Sequence, residues 1–174
     1  MKSLQEISAA IRDIPDFPKK GIVFKDITPI LLDPEFFAST IEHLVASIAN
    51  RKTEVICGIE SRGFIFGAAL ALKLGIGFVP IRKPGKLPYK TFKEEYALEY
   101  GRDAVEIHQD AIKPGERVLL VDDLLATGGT ARAAVKLIEK CGGVVDTLSF
   151  VVELGFLKGI EKLEGYNVQS LIEY

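Results

Sequence analysis

The residues best suited to chemistry are Asp122, Asp123, Leu124, Ala126, Thr127, Gly128, Gly129 and Thr130, which follow the apolar run Val118-Leu119-Leu120-Val121. Four aliphatic residues in a row suit a parallel strand buried on both faces, and the charges after them mark its carboxyl end, where open α/β sheets place ligands. Beyond the turn, Ala131, Ala134, Val135 and Ile138 recur at helical spacing, so Thr127 to Thr130 belong at the amino end of a helix. That combination favours an anion. Glycines at 128 and 129 let a phosphate approach the backbone N–H groups, the helix dipole adds partial positive charge, and Thr127 and Thr130 supply hydroxyl donors.

Two known phosphate loops are excluded. A nucleoside-triphosphate loop needs Lys directly after its last Gly, and here Thr130 follows Gly129. The dinucleotide fingerprint needs three spaced glycines after a strand, and here two acids come first, then one glycine pair. What remains is a loop for a single phosphate, with two carboxylates set back to accept hydrogen bonds from neighbouring hydroxyls; a ribose 5-phosphate fits. Two further constellations lie at strand ends. In Gly58-Ile59-Glu60-Ser61-Arg62-Gly63, Ser61 and the backbone amides can donate to a second anion and Arg62 can grip two oxygens, although a capping Ser beside a solvated Arg explains the same residues equally well. Arg82-Lys83-Pro84-Gly85-Lys86 puts three cations on an open loop. If the strands ending at Ile59, Ile81 and Val121 are parallel, all three loops share one edge, and Arg62, Arg82, Lys83 and Lys86 would ring a pyrophosphate beside the monophosphate loop. His43 and His108 have no acid or Ser placed to form a triad and receive no role.

The elements that must position these residues alternate. A helix from about Ser3 to Arg12, with Ser3 and Glu6 at capping-box spacing, leads into Asp13 to Lys20, where prolines argue against regular structure. Asp33 caps an amphipathic helix that carries Phe36, Phe37, Ile41, Leu44, Val45 and Ile48. Val55 to Ile59 reads as a buried strand, Gly63 to Leu74 as a helix stopped by Gly75, and Phe78 to Ile81 as another buried strand. Phe92 to His108 alternates around Tyr100-Gly101-Arg102-Asp103, a β-hairpin reaching out of the sheet. Val144 to Val152, a short helix and Val168 to Ile172 restore the rhythm. The pattern predicts one α/β domain over 1–174: a doubly wound, mostly parallel sheet flanked by helices, with the two termini folding beside it as a small cap.

Composition agrees with a compact enzyme. The 174 residues are 48% hydrophobic and 26% charged, enough for a sizeable core, and the net charge of −2 argues against a nucleic-acid surface. No long apolar span and no secretory signal are present, and Cys57 and Cys141 lack a CxxC pair, so the expectation is a cytoplasmic chain with buried thiols, not a disulfide or metal protein.

The order of apolar strand, two acids, Leu-Leu and Ala-Thr-Gly-Gly-Thr resembles the phosphoribosyl pyrophosphate motif of the type I phosphoribosyltransferases, with its core positions filled. The run Phe17 to Pro29 is similar to the amino-terminal hood of the adenine-specific members of that family, and the likeness continues through Gly58–Gly67, Ile81–Pro88, Tyr96–Gly101 and Val118–Ala131. The resemblance implies transfer of phosphoribose from 5-phosphoribosyl 1-pyrophosphate to N9 of adenine, giving AMP and pyrophosphate, as in purine salvage. It implies a hood over about 1–33, in which Phe24 stacks on the purine, Val23 binds it through its backbone and Lys25 stands near the base. Relatives often carry Arg at that position, and Lys cannot make the same bidentate contact. It implies a lid hairpin over about 92–108 whose Glu99 manages the base proton beside the catalytic Asp122 and Asp123. Mg²⁺ held mainly by substrate oxygens and water, with no protein cage, and a homodimer are also implied. Without the family, Ile22, Val23 and Phe24 are simply a core strand, and Glu99 is one of several glutamates nearby. Two other readings stay open: the same fold acting on another base such as xanthine or orotate, which the hood argues against, and a non-catalytic phosphoribosyl pyrophosphate-binding regulator, which the absence of a spare domain and the presence of Glu99 argue against.

Overall fold

In the computed structural model, which describes residues 1–97 and 101–174, contacts divide the chain into two units, Met1–Ala46 and Ser47–Tyr174. The first unit opens with α1 (Leu4–Ala10), capped as its sequence requires: Ser3 Oγ accepts from the Glu6 amide at 3.3 Å while Glu6 accepts from the Ser3 amide at 2.8 Å. The next segment departs from expectation. Arg12–Pro15 is a strand, β1, paired antiparallel with β2 (Val23–Asp26). Its prolines argued for irregular structure, but Pro15 occupies the last position of a two-stranded ribbon, where a missing N–H is tolerated. Register then places opposite charges face to face, with Arg12 Nη2 2.7 Å from Asp26 Oδ2 and Lys25 Nζ 2.7 Å from Asp13 Oδ1. A short helix, α2 (Thr28–Leu32), precedes α3 (Pro34–Ser47), whose first amides, on Glu35 and Phe36, donate to Asp33 Oδ1 at 2.8 and 3.0 Å.

The second unit is built on five strands. β3 (Val55–Ile59), α4 (Gly63–Leu74) and β4 (Gly77–Ile81) form one crossover, and β7 (Arg117–Leu125), α5 (Gly129–Lys140) and β8 (Val144–Glu153) form another. Between them stands the hairpin of β5 (Thr91–Ala97) and β6 (Arg102–His108); 3₁₀ turns at Gly155–Leu157 and Gly159–Leu163 lead to β9 (Val168–Glu173). The central sheet runs β4-β3-β7-β8-β9 with every pairing parallel. Such strands must be apolar on both faces, and all five residues of β3 are buried. Two boundaries differ from the sequence reading. β7 does not stop at Val121 but continues its ladder with β8 through Asp122 to Leu125, so both acids are strand residues. The carboxyl terminus is no part of a cap, because β9 completes the central sheet.

The hairpin is more firmly held than a strand pair reaching into solvent. Arg82 and Glu106 exchange backbone hydrogen bonds of 2.9 and 2.7 Å, stitching β6 to the end of β4. Val105 and Ile107 are wholly buried in the core that α5 covers. Glu94 accepts from Lys136 at 2.8 Å and Lys140 at 2.6 Å, so one carboxylate clasps two turns of α5. Among the described residues, no helix is long and apolar enough to cross a membrane.

The two lysines hold the Glu94 carboxyl below its ordinary value, so its stabilising contribution is complete above the usual carboxylate range and disappears as pH falls through the lowered value. Glu94→Gln is expected to cost about 1 kcal/mol at neutral pH, the scale of a solvent-screened pair. Urea unfolding should show wild type and variant converging in acid; a gap that persists there would assign the loss to packing instead.

Candidate functional site

The sheet grows outward from β3 in both directions, to β4 on one side and to β7, β8 and β9 on the other. Adjacent parallel strands whose crossovers leave on opposite sides open a crevice at their carboxyl ends, and here that crevice lies between β3 and β7. The loops after β3, β4 and β7 therefore share one edge, as the sequence predicts.

A pocket of about 90 Å³ lies at the start of α5, lined by Asp122, Leu124 and residues 125–131, with Phe150 below. Sites for a whole drug-sized ligand run to roughly 300–1,000 Å³, so this one suits a single small group. Its walls are the expected Ala126, Thr127, Gly128, Gly129 and Thr130. Gly128 caps the helix with φ of +75° and no side-chain cap; the first intrahelical bond runs from the Arg132 amide to the Gly128 carbonyl at 2.9 Å. The first-turn amides thus turn toward the pocket in need of an acceptor. The loop is backed by Gly159, a residue that carried no signal in the sequence. A methyl at Gly128 would overlap the Gly159 carbonyl, and one at Gly159 would overlap the Ala126 carbonyl and come within 2.9 Å of the Gly128 nitrogen. Two backbones touch here.

The carboxylates divide the surroundings unequally. Asp123 is 3% exposed, and Arg62 Nε lies 3.1 Å from its Oδ2. Asp122 lies at the pocket wall, where its Oδ1 accepts the Asp123 amide at 2.9 Å. Burial and then the charge of Asp123 push the Asp122 carboxyl well up, and burial also raises Asp123, opposed by the Arg62 guanidinium. A carboxylate that is hard to hydrate is correspondingly strong toward a cation brought beside it.

The cation loop is organised by Glu60, an acid that stood in the quoted motif without a role. Arg82 donates to it at 3.1 and 3.3 Å, and the Lys83 amide at 3.0 Å. Arg82 also donates to the Lys86 carbonyl at 3.2 Å, while Lys86 itself is exposed. Lys83 Nζ binds Asp103 and Tyr96 of the hairpin. Ser61 is exposed and follows a cis peptide after Glu60, immediately before α4. Within the first unit, Val23 is 47% exposed on β2, Phe24 meets Phe17 edge to face at 5.3 Å, and Lys25 is paired with Asp13. Glu99 lies outside the described residues. Among the described residues no three His, Cys, Asp or Glu side chains gather as a metal cage; Asp122, at the pocket wall, is a hard oxygen donor of the kind that suits Mg²⁺.

Comparison with known proteins converges with this geometry. The family model for the phosphoribosyl transferase domain matches residues 30–161. The adenine phosphoribosyltransferase of Thermoanaerobacter sp. (strain X514) is 58% identical over 172 residues, which are 99% of each chain. The crystal structure of adenine phosphoribosyltransferase from Thermoanaerobacter pseudethanolicus superposes with a TM-score of 0.97 at 57% identity, covering 99% of this chain and 100% of that one. The Saccharomyces cerevisiae adenine phosphoribosyltransferase, complexed with D-2,5-dideoxy-2,5-imino-altritol 1,6-bisphosphate and adenine, superposes with a TM-score of 0.91 at 46% identity over 97% of both chains.

Two substitutions probe the pocket. Gly159→Ala should displace the loop at 126–128, lowering affinity for ribose 5-phosphate by roughly 5- to 150-fold for an overpacking strain of roughly 1–3 kcal/mol; unchanged affinity by calorimetric titration would remove Gly159 from the site. Because the Asp122 carboxyl is raised, it subtracts from stability progressively as pH climbs from the ordinary carboxylate range through its folded value. Asp122→Asn should therefore raise the Tm at neutral pH, with the gain vanishing in acid, where the native carboxyl is protonated in both states.

Proposed function

We infer that this chain, which belongs to the phosphoribosyl transferase family, transfers the 5-phosphoribosyl group of 5-phosphoribosyl 1-pyrophosphate to N9 of adenine, giving AMP and pyrophosphate. The observation that carries the reading is the small pocket whose open end is the uncapped first turn of α5, set at the switch point of the sheet.

The 5-phosphate is assigned to that turn, with the amides of Gly128, Gly129 and Thr130, the hydroxyls of Thr127 and Thr130, and the walls of Leu124 and Ala126 around it. Asp122 and Asp123 are proposed to accept the ribose hydroxyls. As the bond from C1 to the pyrophosphate oxygen stretches, positive charge gathers on the sugar ring, and these desolvated carboxylates oppose it more strongly than hydrated ones would. Negative charge gathers on the leaving pyrophosphate, and Ser61, Arg62, Arg82, Lys83 and Lys86 are proposed to receive it. Arg62, Arg82 and Lys83 are already oriented by their carboxylate partners, so little reorganisation is needed at the moment of reaction. Bound Mg²⁺, held mainly by substrate oxygens and water, would supply further neutralisation of that charge. Val23, Phe24 and Lys25 are proposed to recognise adenine, and Glu99 to take the proton that N9 gives up when it bonds to C1.

We also propose a cytoplasmic homodimer. Cys57 and Cys141 are both free thiols. α4 supports the dimer: Ile65 is 40% and Leu72 86% exposed on a helix otherwise packed against the sheet, an apolar face suited to a second copy.

Incubation of the purified chain with adenine, labelled 5-phosphoribosyl 1-pyrophosphate and magnesium is expected to yield AMP, with xanthine and orotate giving no nucleotide. Turnover of xanthine at a comparable rate would move the base assignment, and ribose-compound binding without turnover of any base would make the chain a regulator. Asp123→Asn should lower kcat by roughly a hundredfold, the scale of losing one preorganised electrostatic group, in a chain that still folds; unaltered kcat would detach the acid pair from the reaction.

A further inference from the structure

The cation loop and the phosphate loop are bridged by one side chain of the hairpin. Lys83 Nζ donates to the Asp103 carboxylate and, at 2.9 Å, to Tyr96 Oη; the Tyr96 hydroxyl in turn donates to Asp103 Oδ2 at 3.0 Å. The ammonium also lies 5.5 Å from the Tyr96 ring centroid. Asp103 Oδ1 is occupied by the Ala104 amide at 2.8 Å, which fixes the carboxylate, so Oδ2 is the oxygen that faces both partners. Burial alone would lower the Lys83 ammonium, yet its hydrogen bonds to Asp103 and Tyr96 carry it above its ordinary value, and Asp103 is held below its own against burial, by Lys83 before its other partners. All three groups are therefore engaged at neutral pH, the lysine charged and its direction set.

An edge of the same ring faces the phosphate loop. A methyl added at Gly129 would stand 3.4 Å from Tyr96 Cδ2 and 3.5 Å from the Ala97 carbonyl, so the ring edge faces the first residue of α5 across a gap that a methyl would just fill. Tyr96, Ala97, Gly129 and Arg132 border one depression there. One rigid aromatic side chain, with two torsions to fix, thus stands between Lys83, which it hydrogen-bonds, and Gly129, which it faces.

We propose that Tyr96 and Asp103 are positioning residues that set the separation between the pyrophosphate-facing Lys83 and the phosphate-facing turn at Gly129, and so gauge the length of a ribose compound bearing phosphate at one end and pyrophosphate at the other. The proposal rests on the assignment of those two subsites made above. Its division of labour is specific: the hydroxyl of Tyr96 and the charge of Asp103 govern the pyrophosphate end, while the ring of Tyr96 governs the phosphate end.

Calorimetric titration of the full chain with magnesium pyrophosphate and, separately, with ribose 5-phosphate tests this. Tyr96→Phe should weaken pyrophosphate by roughly 3- to 10-fold, the scale of one hydrogen bond, and leave ribose 5-phosphate unmoved. Tyr96→Ala should weaken both. Asp103→Asn should follow Tyr96→Phe, with Asp103→Glu recovering part of the loss, and in steady-state assays these changes should raise KM for the ribose substrate while KM for adenine stays put. Tyr96→Phe with wild-type pyrophosphate affinity, or with both affinities falling together, would overturn the proposal while leaving the activity intact. A wild-type chain that binds neither probe would overturn the subsite assignment and this proposal with it.

Discussion

The contact between the backbones of Gly128 and Gly159 is the constraint on which the pocket depends. A helix start offers an anion its first-turn amides only if the preceding chain turns sharply away, and at Gly128 it does so with a positive φ that side-chain-bearing residues seldom adopt. The turn is then kept from relaxing because Gly159 presses on it from behind, leaving no room for even a methyl on either residue. In the proposed reaction the rest of the site is arranged around a loop whose shape the backbone itself holds, and preorganised donors of that sort are where electrostatic catalysis obtains most of its effect.

The charges around the crevice are paired in advance. Arg62 is held by Asp123, Arg82 by Glu60 and Lys83 by Asp103. Such pairing weakens the bare positive field, yet it removes the rotamer freedom that long cations would otherwise lose on binding an anion. Asp122 is the exception among the acids of the site: burial and then the charge of Asp123 outweigh the Arg62 guanidinium, and the cost of ionising it is high. In the proposed reaction that cost is offset only when positive charge appears on the sugar, which places the strongest interaction late along the reaction coordinate.

Much of this was legible in the residues because a parallel sheet leaves a strong trace. Val55–Ile59 and Val118–Val121 are unbroken apolar runs since both faces of their strands are covered, and the Ala-Thr-Gly-Gly-Thr run that follows lines the pocket at the start of α5. Less visible were features created by cross-chain register. β1 forms from Arg12–Pro15 because Asp13 and Arg12 find Lys25 and Asp26 directly opposite, which no local pattern reveals. β7 runs on through Asp122 and Asp123 because β8 continues beside it, although the residue types there look like a strand's end. Glu60 and Gly159 act through partners distant in sequence, the one gathering a loop beyond β4 and the other buttressing a loop before α5, so neither stands out among ordinary surface Glu and Gly.

The last strand has a bearing on how the molecule matures. The segment that carries Gly159 is anchored at its beginning by the Gly155 amide bonded to the Tyr174 carbonyl at 3.0 Å, and Tyr174 is itself bonded to Glu153 at 2.9 Å. A ribosome releases the turn at Gly128 well before it releases Gly159 and the strand that anchors it, so a nascent chain can form α5 before the brace behind that turn exists.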